Sequence, residues 1–188
     1  MYEIYNMWPE IAEKTFLTTF KPVKFAAVDH IVFGGMGGSG ALGDIFSAIL
    51  SRTRIHVSVV KGYSLPKTVD ANTLVVVTSI SGNTQEALSV LEQAKKKNSN
   101  VIAFSSGGLV EKFCLENKIE YRKIQEYHSP RASFTVFLYG ILKILGSILP
   151  IKENEVIESI EELKKIGSKI SSKNMTENNP SLKLAKWI

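Results

Sequence analysis

The chain reads as an α/β protein, a three-layer sandwich in which a five-stranded parallel sheet is covered by helices on both faces. Two observations carry that reading. From His30 onward, short apolar runs alternate with helical patterns, and strands joined through helices form parallel sheets buried on both sides. Glycines and hydroxyl residues also gather where apolar runs give way to helices, which is where open parallel sheets take their ligands. Strand twist makes the crossovers right-handed.

The elements follow in order. Met1 to Phe20 is a helical arm with Trp8-Pro9 punctuating its start. Ile31 to Phe33 is the first strand, and a glycine-rich turn leads into a helix over about Ala41 to Leu50. Ile55 to Val60 is the second strand, followed by a loop through Gly62 and Pro66. Thr73 to Thr78 is the third, and a helix from Asn83 to Lys97 comes after it. Val101 to Phe104 is the fourth, then a short helix across Leu109 to Glu116, and Ile119 to Ile124 is the fifth. Ser129-Pro130 marks another helix start, with proline at the first helical position. Phe134 to Leu149 is apolar, with Lys143 its only charge. That run is shorter than the roughly 20 residues that span a bilayer, so it reads as a core and interface helix. Glu153 to Lys169 is a charged amphipathic helix, Ser171 to Pro180 is polar and linker-like, and Ser181 to Ile188 resumes a helical pattern. The expected organisation is an arm over residues 1–20, a domain over 21–150, and a tail over 151–188 leading toward a further domain.

Composition narrows the function. With 44% hydrophobic and 22% charged residues, the 188-residue chain is an ordinary globular protein able to bury a core. The net charge of +5 suits anionic metabolites and is too diffuse to argue for nucleic acid. The longest basic run, Lys95-Lys96-Lys97, falls at a helix end, where it complements the helix dipole. One cysteine, Cys114, rules out an internal disulfide and a cysteine metal cluster. The start of the chain does not read as a signal sequence, so a soluble cytoplasmic protein is expected.

The stretch Ser79-Ile80-Ser81-Gly82-Asn83-Thr84 is the most telling. It turns the third strand into a helix whose first amides have no partner and whose dipole favours an anion. Ser79, Ser81 and Thr84 can each donate a hydrogen bond to a phosphate oxygen, and Gly82 lets the backbone come close. No lysine follows as in a nucleotide P-loop. A turn with a helix cap is the other reading of the same residues.

The earlier loop, Gly34 to Gly40, has the spacing Gly35-x-Gly37-x-x-Gly40 after a strand. A dinucleotide site would need an acidic residue near the end of the next strand, where Val60-Lys61-Gly62 stands instead. The preferred reading is a loop passing close to a sugar phosphate, with the Ser39 hydroxyl and the Gly38 and Ser39 amides as donors. In Pro130-Arg131-Ala132-Ser133, an arginine beside an apolar helix is costly to bury unless it meets an anion. It can stabilise charge on an enediolate oxygen or form a surface salt bridge.

In this order, Gly37-Gly38-Ser39-Gly40, Ser79 to Thr84 and Pro130-Arg131-Ala132-Ser133 resemble the sugar isomerase (SIS) domain. Among its members the chain is most similar to the archaeal-type bifunctional phosphoglucose/phosphomannose isomerases. The resemblance implies a flavodoxin-like fold and interconversion of glucose 6-phosphate and fructose 6-phosphate through an enediolate, with mannose 6-phosphate open. It implies that Ser79, Ser81 and Thr84 hold the phosphate, helped by the amides near Gly82 and Asn83. Gly38 and Ser39 would contact the sugar, Arg131 would be catalytic, and no metal or organic cofactor would be needed. Such proteins carry two tandem SIS domains, with the glutamate base and ring-opening histidine in the second. Glu86, Glu126 and His128 match no catalytic position of the family, and His128 reads as a helix-cap or surface residue. The expected entity is therefore the phosphate-binding half of an isomerase, with little activity alone, or a non-catalytic sugar-phosphate-binding module. The expected partners are a small sugar phosphate and, in a homodimer or a second SIS domain, another SIS unit, with no nucleic acid and no membrane.

Overall fold

A computed structural model describes residues 1–25 and 28–188 of the chain. Among the described residues the order is α1 (Tyr2–Asn6), α2 (Trp8–Leu17), β1 (His30–Gly34), α3 (Gly37–Leu50), β2 (His56–Val60) and β3 (Thr73–Ser79). Then come α4 (Gln85–Lys96), β4 (Asn100–Ser105), α5 (Gly108–Asn117), β5 (Glu120–Lys123), α6 (Phe134–Ile144), α7 (Glu153–Ile170) and α8 (Pro180–Trp187). The strands form one parallel sheet in the order β2-β1-β3-β4-β5. The order reverses between β1 and β3, and a crevice opens at such a reversal beyond the carboxyl ends of the strands.

Alternate residues of each strand serve different cores. On one face Ile31, Phe33, Leu74, Val76, Ile102 and Phe104 pack with Leu42 and Phe46 of α3, Ile11 and Phe16 of α2, and Phe137 and Ile141 of α6. The rings of Phe33 and Phe46 stack at 4.8 Å. On the other face Val32, Val75, Val77 and Ala103 pack with Val90 and Leu91 of α4 and Val110 and Cys114 of α5. Central strands buried on both faces read as continuous apolar runs, and each fully buried aliphatic or aromatic side chain contributes about 1.5–3 kcal/mol. The two cores hold the carboxyl ends of the strands, and hence the loops beyond them, in fixed relation.

Several expectations need correction. The amino-terminal arm is two helices, broken at Met7, and α2 is part of the core: its Ile11, Ala12 and Phe16 are buried against α6 and α7. The glycine-rich turn after β1 is short, because α3 already begins at Gly37, with the Ser39 and Gly40 amides donating to the Met36 carbonyl. Pro130 is not the first residue of a helix. It lies in a turn, and α6 starts at Phe134 after the Ser133 amide has bonded the Ser129 carbonyl at 3.0 Å. The apolar run from Phe134 ends its helix at Ile144 and is covered within the chain by α2 and α3. No helix among the described residues is long and apolar enough to cross a membrane. The linker-like stretch before Pro180 is folded. Buried Asn179 donates to the carbonyls of Ser171 (3.2 Å) and Asn174 (2.7 Å) and accepts from the Ser181 and Leu182 amides, capping α8.

Candidate functional site

The loops following β1 and β3 meet at the reversal of strand order. The Ile80 amide donates to Ser39 Oγ at 3.4 Å, tying the second loop to the first turn of α3. Ser39 is buried, whereas Gly38 beside it is exposed and no atom lies within 4 Å of where a Cβ would stand. The Ser39 amide, expected as a ligand donor, is already engaged with Met36 at 3.0 Å. The donors this loop keeps for a ligand are the Gly38 amide, in a turn where helical amides lack partners, and the Ser39 hydroxyl proton.

In the second loop Thr84 occupies the cap position of α4, yet no side chain caps that helix. Thr84 Oγ1 instead meets Ser79 Oγ at 2.9 Å. Two hydroxyls carry two protons and one is used between them, so the pair retains one outward donor. Ser79 is buried, Thr84 half-buried and Ser81 exposed. Ser81 Oγ accepts from the Asn83 amide at 3.4 Å and so keeps its own proton to donate. The amides of the first turn of α4 lie next to these hydroxyls and carry the positive end of the helix dipole. The arrangement is a set of neutral donors around a helix N-terminus, which is the chemistry that receives a phosphate group.

Two residues of this loop do something other than the sequence suggested. Gly82 has φ +72°, and its amide is spent on the Ser79 carbonyl at 2.9 Å. A Cβ there would stand 1.8 Å from the Gly107 carbonyl oxygen, so the close approach that requires glycine is to the β4–α5 loop. Asn83 likewise reaches sideways. Its Oδ1 accepts from the Leu109 amide at the start of α5 (3.2 Å), while its Nδ2 donates to the Ser81 carbonyl (3.1 Å).

Arg131 is exposed and pairs with no carboxylate among the described residues, so the surface salt bridge that the sequence left open is not formed there. The turn around it is held by its neighbours. Ser133 Oγ accepts from the Tyr127 amide (2.7 Å) and Trp8 Nε1 donates to the Ala132 carbonyl (2.8 Å). His128 is exposed at φ +57° and caps no helix. Cys114 lies in the core, where burial pushes its thiol up to about 12 and leaves no thiolate for chemistry. Among the described residues no group of three or more His, Cys, Asp or Glu is arranged to hold a metal ion.

The sequence reading passed over the loop after β4, Ser105-Ser106-Gly107-Gly108, although its composition repeats the small and hydroxyl residues of the other two. Ser106 donates both its amide (3.0 Å) and its hydroxyl (2.7 Å) to the Ile80 carbonyl. The two peptide groups that flank Ile80 are thus held, one from the α3 side by Ser39 and the other from the β4 side by Ser106. Two concavities lie elsewhere, one of about 560 Å³ among Tyr2, Trp8, Ile166 and Met175, and another of about 300 Å³ among Phe16, Pro22, Leu142 and Val156. Neither touches these loops.

Residues 24–111, which include both the β1 and β3 loops, match the family model of the SIS domain. This region is a SIS domain. The chain is also similar to proteins named bifunctional phosphoglucose/phosphomannose isomerase. That of Caldicellulosiruptor bescii is 32% identical across all of this chain and 56% of that protein. That of Aquifex aeolicus is 34% identical across 88% of this chain and 50% of that protein. The chain therefore spans about half the length of the curated relatives it matches. Among solved structures, the C-terminal domain of glucosamine-fructose-6-phosphate aminotransferase from Francisella tularensis has a similar fold, with a TM-score of 0.61. That match is 18% identical and covers 89% of this chain and 54% of that one.

Proposed function

We propose that the chain is the phosphate-binding SIS unit of an aldose–ketose isomerase acting on hexose 6-phosphates. The observation that carries this reading is the Thr84–Ser79 hydroxyl pair, which leaves α4 without a side-chain cap at the reversal of strand order. A residue that served only as a helix cap would turn its oxygen to its own helix. The similarity to bifunctional phosphoglucose/phosphomannose isomerases supports a hexose 6-phosphate as the anion's carrier.

In this reading Ser79, Ser81, Thr84 and the first amides of α4 receive the phosphate, and Gly38 and Ser39 contact the sugar. Gly82 and Asn83 shape the loop rather than touch the ligand. Isomerisation moves a proton between C1 and C2 through an enediolate, and Arg131 would offset the negative charge gathering on its oxygens. An exposed guanidinium on an anchored turn is free to meet that charge when a ligand bridges from the loops. The base belongs outside this set of residues, so the isolated chain binds sugar phosphates and turns them over little. A second SIS unit, in a homodimer or in a longer chain, is the partner this reading requires.

The test is a thermal-shift comparison of glucose 6-phosphate, fructose 6-phosphate, free glucose and NAD on the 188-residue chain. Stabilisation by the two hexose phosphates and not by free glucose supports the reading. A response to NAD alone removes it.

A further inference from the structure

The Ile80 carbonyl receives the hydroxyl proton of Ser106 at 2.7 Å. Behind Ser106, at 3.4 Å from the same Oγ, lies Oε2 of Glu126. A hydroxyl carries one proton, and the shorter contact to the carbonyl takes it. The Glu126 carboxylate is therefore left facing the loops with its acceptor sites unfilled, half-buried and with no cation paired to it among the described residues. It stands just past the end of β5, at the same edge of the sheet as the loops after β1, β3 and β4.

A carboxylate is only an acceptor, and it repels a phosphate. Its proper counterpart is a group of hydroxyl donors, and a hexose 6-phosphate carries those at the end away from its phosphate. In the chain of contacts Ser106 and Ile80 stand between Glu126 and the Ser79–Thr84 pair, so the ligand's two ends would meet opposite chemistries. Resting on the phosphate-site reading above, we propose that Glu126 accepts hydrogen bonds from the hydroxyls of a bound sugar phosphate. It would thereby favour a polyhydroxylated ligand over a bare phosphate.

The experiment is calorimetric titration of the full chain and of Glu126→Gln and Glu126→Asp with glucose 6-phosphate and, separately, with inorganic phosphate. Circular dichroism melts of each variant confirm that it folds. The expected result is a loss of about tenfold in glucose 6-phosphate affinity with phosphate affinity unchanged, since hydrogen bonds to a charged acceptor are the stronger kind. Equal weakening of both ligands would mean that Glu126 acts only through Ser106 on the loop, and unchanged affinity for both would mean that it touches no ligand. Either overturns the inference while leaving the phosphate site standing. A wild-type chain that binds neither ligand removes the phosphate site and the inference together.

Discussion

Ser79 Oγ and Thr84 Oγ1 lie 2.9 Å apart across the turn that joins β3 to α4. Ser79 is held in place by the sheet, since its residue pairs with Ser105 of β4, whereas Thr84 begins a helix. The bond between them keeps the loop folded with one donor pointing out. Thr84→Val preserves the branched shape and removes that donor, and Ser81→Ala removes another from the exposed rim. Each substitution should weaken glucose 6-phosphate binding about fivefold, the effect of one neutral hydrogen bond of about 1 kcal/mol. Thermal stability should stay nearly constant for Ser81→Ala. Calorimetry that finds both affinities unchanged would count against the phosphate assignment.

Two glycines of the site separate stability from binding. Gly82→Ala places a Cβ 1.8 Å from the Gly107 carbonyl oxygen at φ +72°, so the β3–α4 and β4–α5 loops must part. Urea unfolding should show a loss of about 3 kcal/mol or more, from backbone strain and overpacking together. Gly38→Ala meets nothing within 4 Å, and alanine is the better residue within a helix by about 0.5–1 kcal/mol. That variant should hold or gain stability while losing sugar-phosphate affinity, because its methyl group occupies the open side of the loop. Equal stability of the two variants would show that the Gly82–Gly107 contact does not constrain the loop.

The contrast between these glycines marks how far the sequence could be read. Strand β3 was legible because Thr73 to Ser79 is buried throughout and apolar at its centre, and the order of strands and helices followed from such runs. The hydroxyls of the site were legible because they sit on one continuous turn. What Gly82 needs was not, because its partner Gly107 belongs to the next βα unit. Ser106 escaped for the same reason, as did its contact with Glu126, because the sheet brings their loops together and nothing local signals it. For Arg131 the sequence left both an anion partner and a surface position open, and packing decides between buried and exposed: its neighbours Ala132 and Ser133 are buried while the arginine itself turns outward.

At the opposite edge of the sheet, His30 offers a pH dependence. It is 8% exposed, its ring lies 4.7 Å from that of His56, and its nitrogens face Ser58 Oγ (3.1 Å) and Thr73 Oγ1 (3.4 Å). Burial, and then the neighbouring His56, hold it below the usual imidazole range against the opposing pull of Asp29 and Asp70. A histidine depressed in the folded state is neutral there, so its stability contribution is complete above the unfolded value of 6.5. The contribution is lost as pH falls from there through the lower folded value, because the unfolded chain takes up the proton first. Urea midpoints measured between about pH 8 and pH 5 should therefore fall toward acid, and His30→Gln should flatten the fall. Parallel curves for the two proteins would mean that His30 is not the titrating group.

Trp8 links the amino-terminal helices to the turn that carries Arg131. Its indole Nε1 donates to the Ala132 carbonyl at 2.8 Å, and its ring is met edge-on by Tyr5 at 4.9 Å. Ala132 is 1% exposed, so without Trp8 its carbonyl would have little access to water. Trp8→Phe keeps an aromatic ring and removes the donor, and should cost about 1–2 kcal/mol as the carbonyl is left unpaired. The loss should be local as well as global, with backbone amides over residues 129–134 exchanging faster than those of β3. If Arg131 acts on a bound sugar as proposed, loosening its turn should lower turnover in an assembled two-unit enzyme more than it lowers phosphate affinity. Exchange rates and stability both equal to wild type would show that the indole bond does not hold this turn.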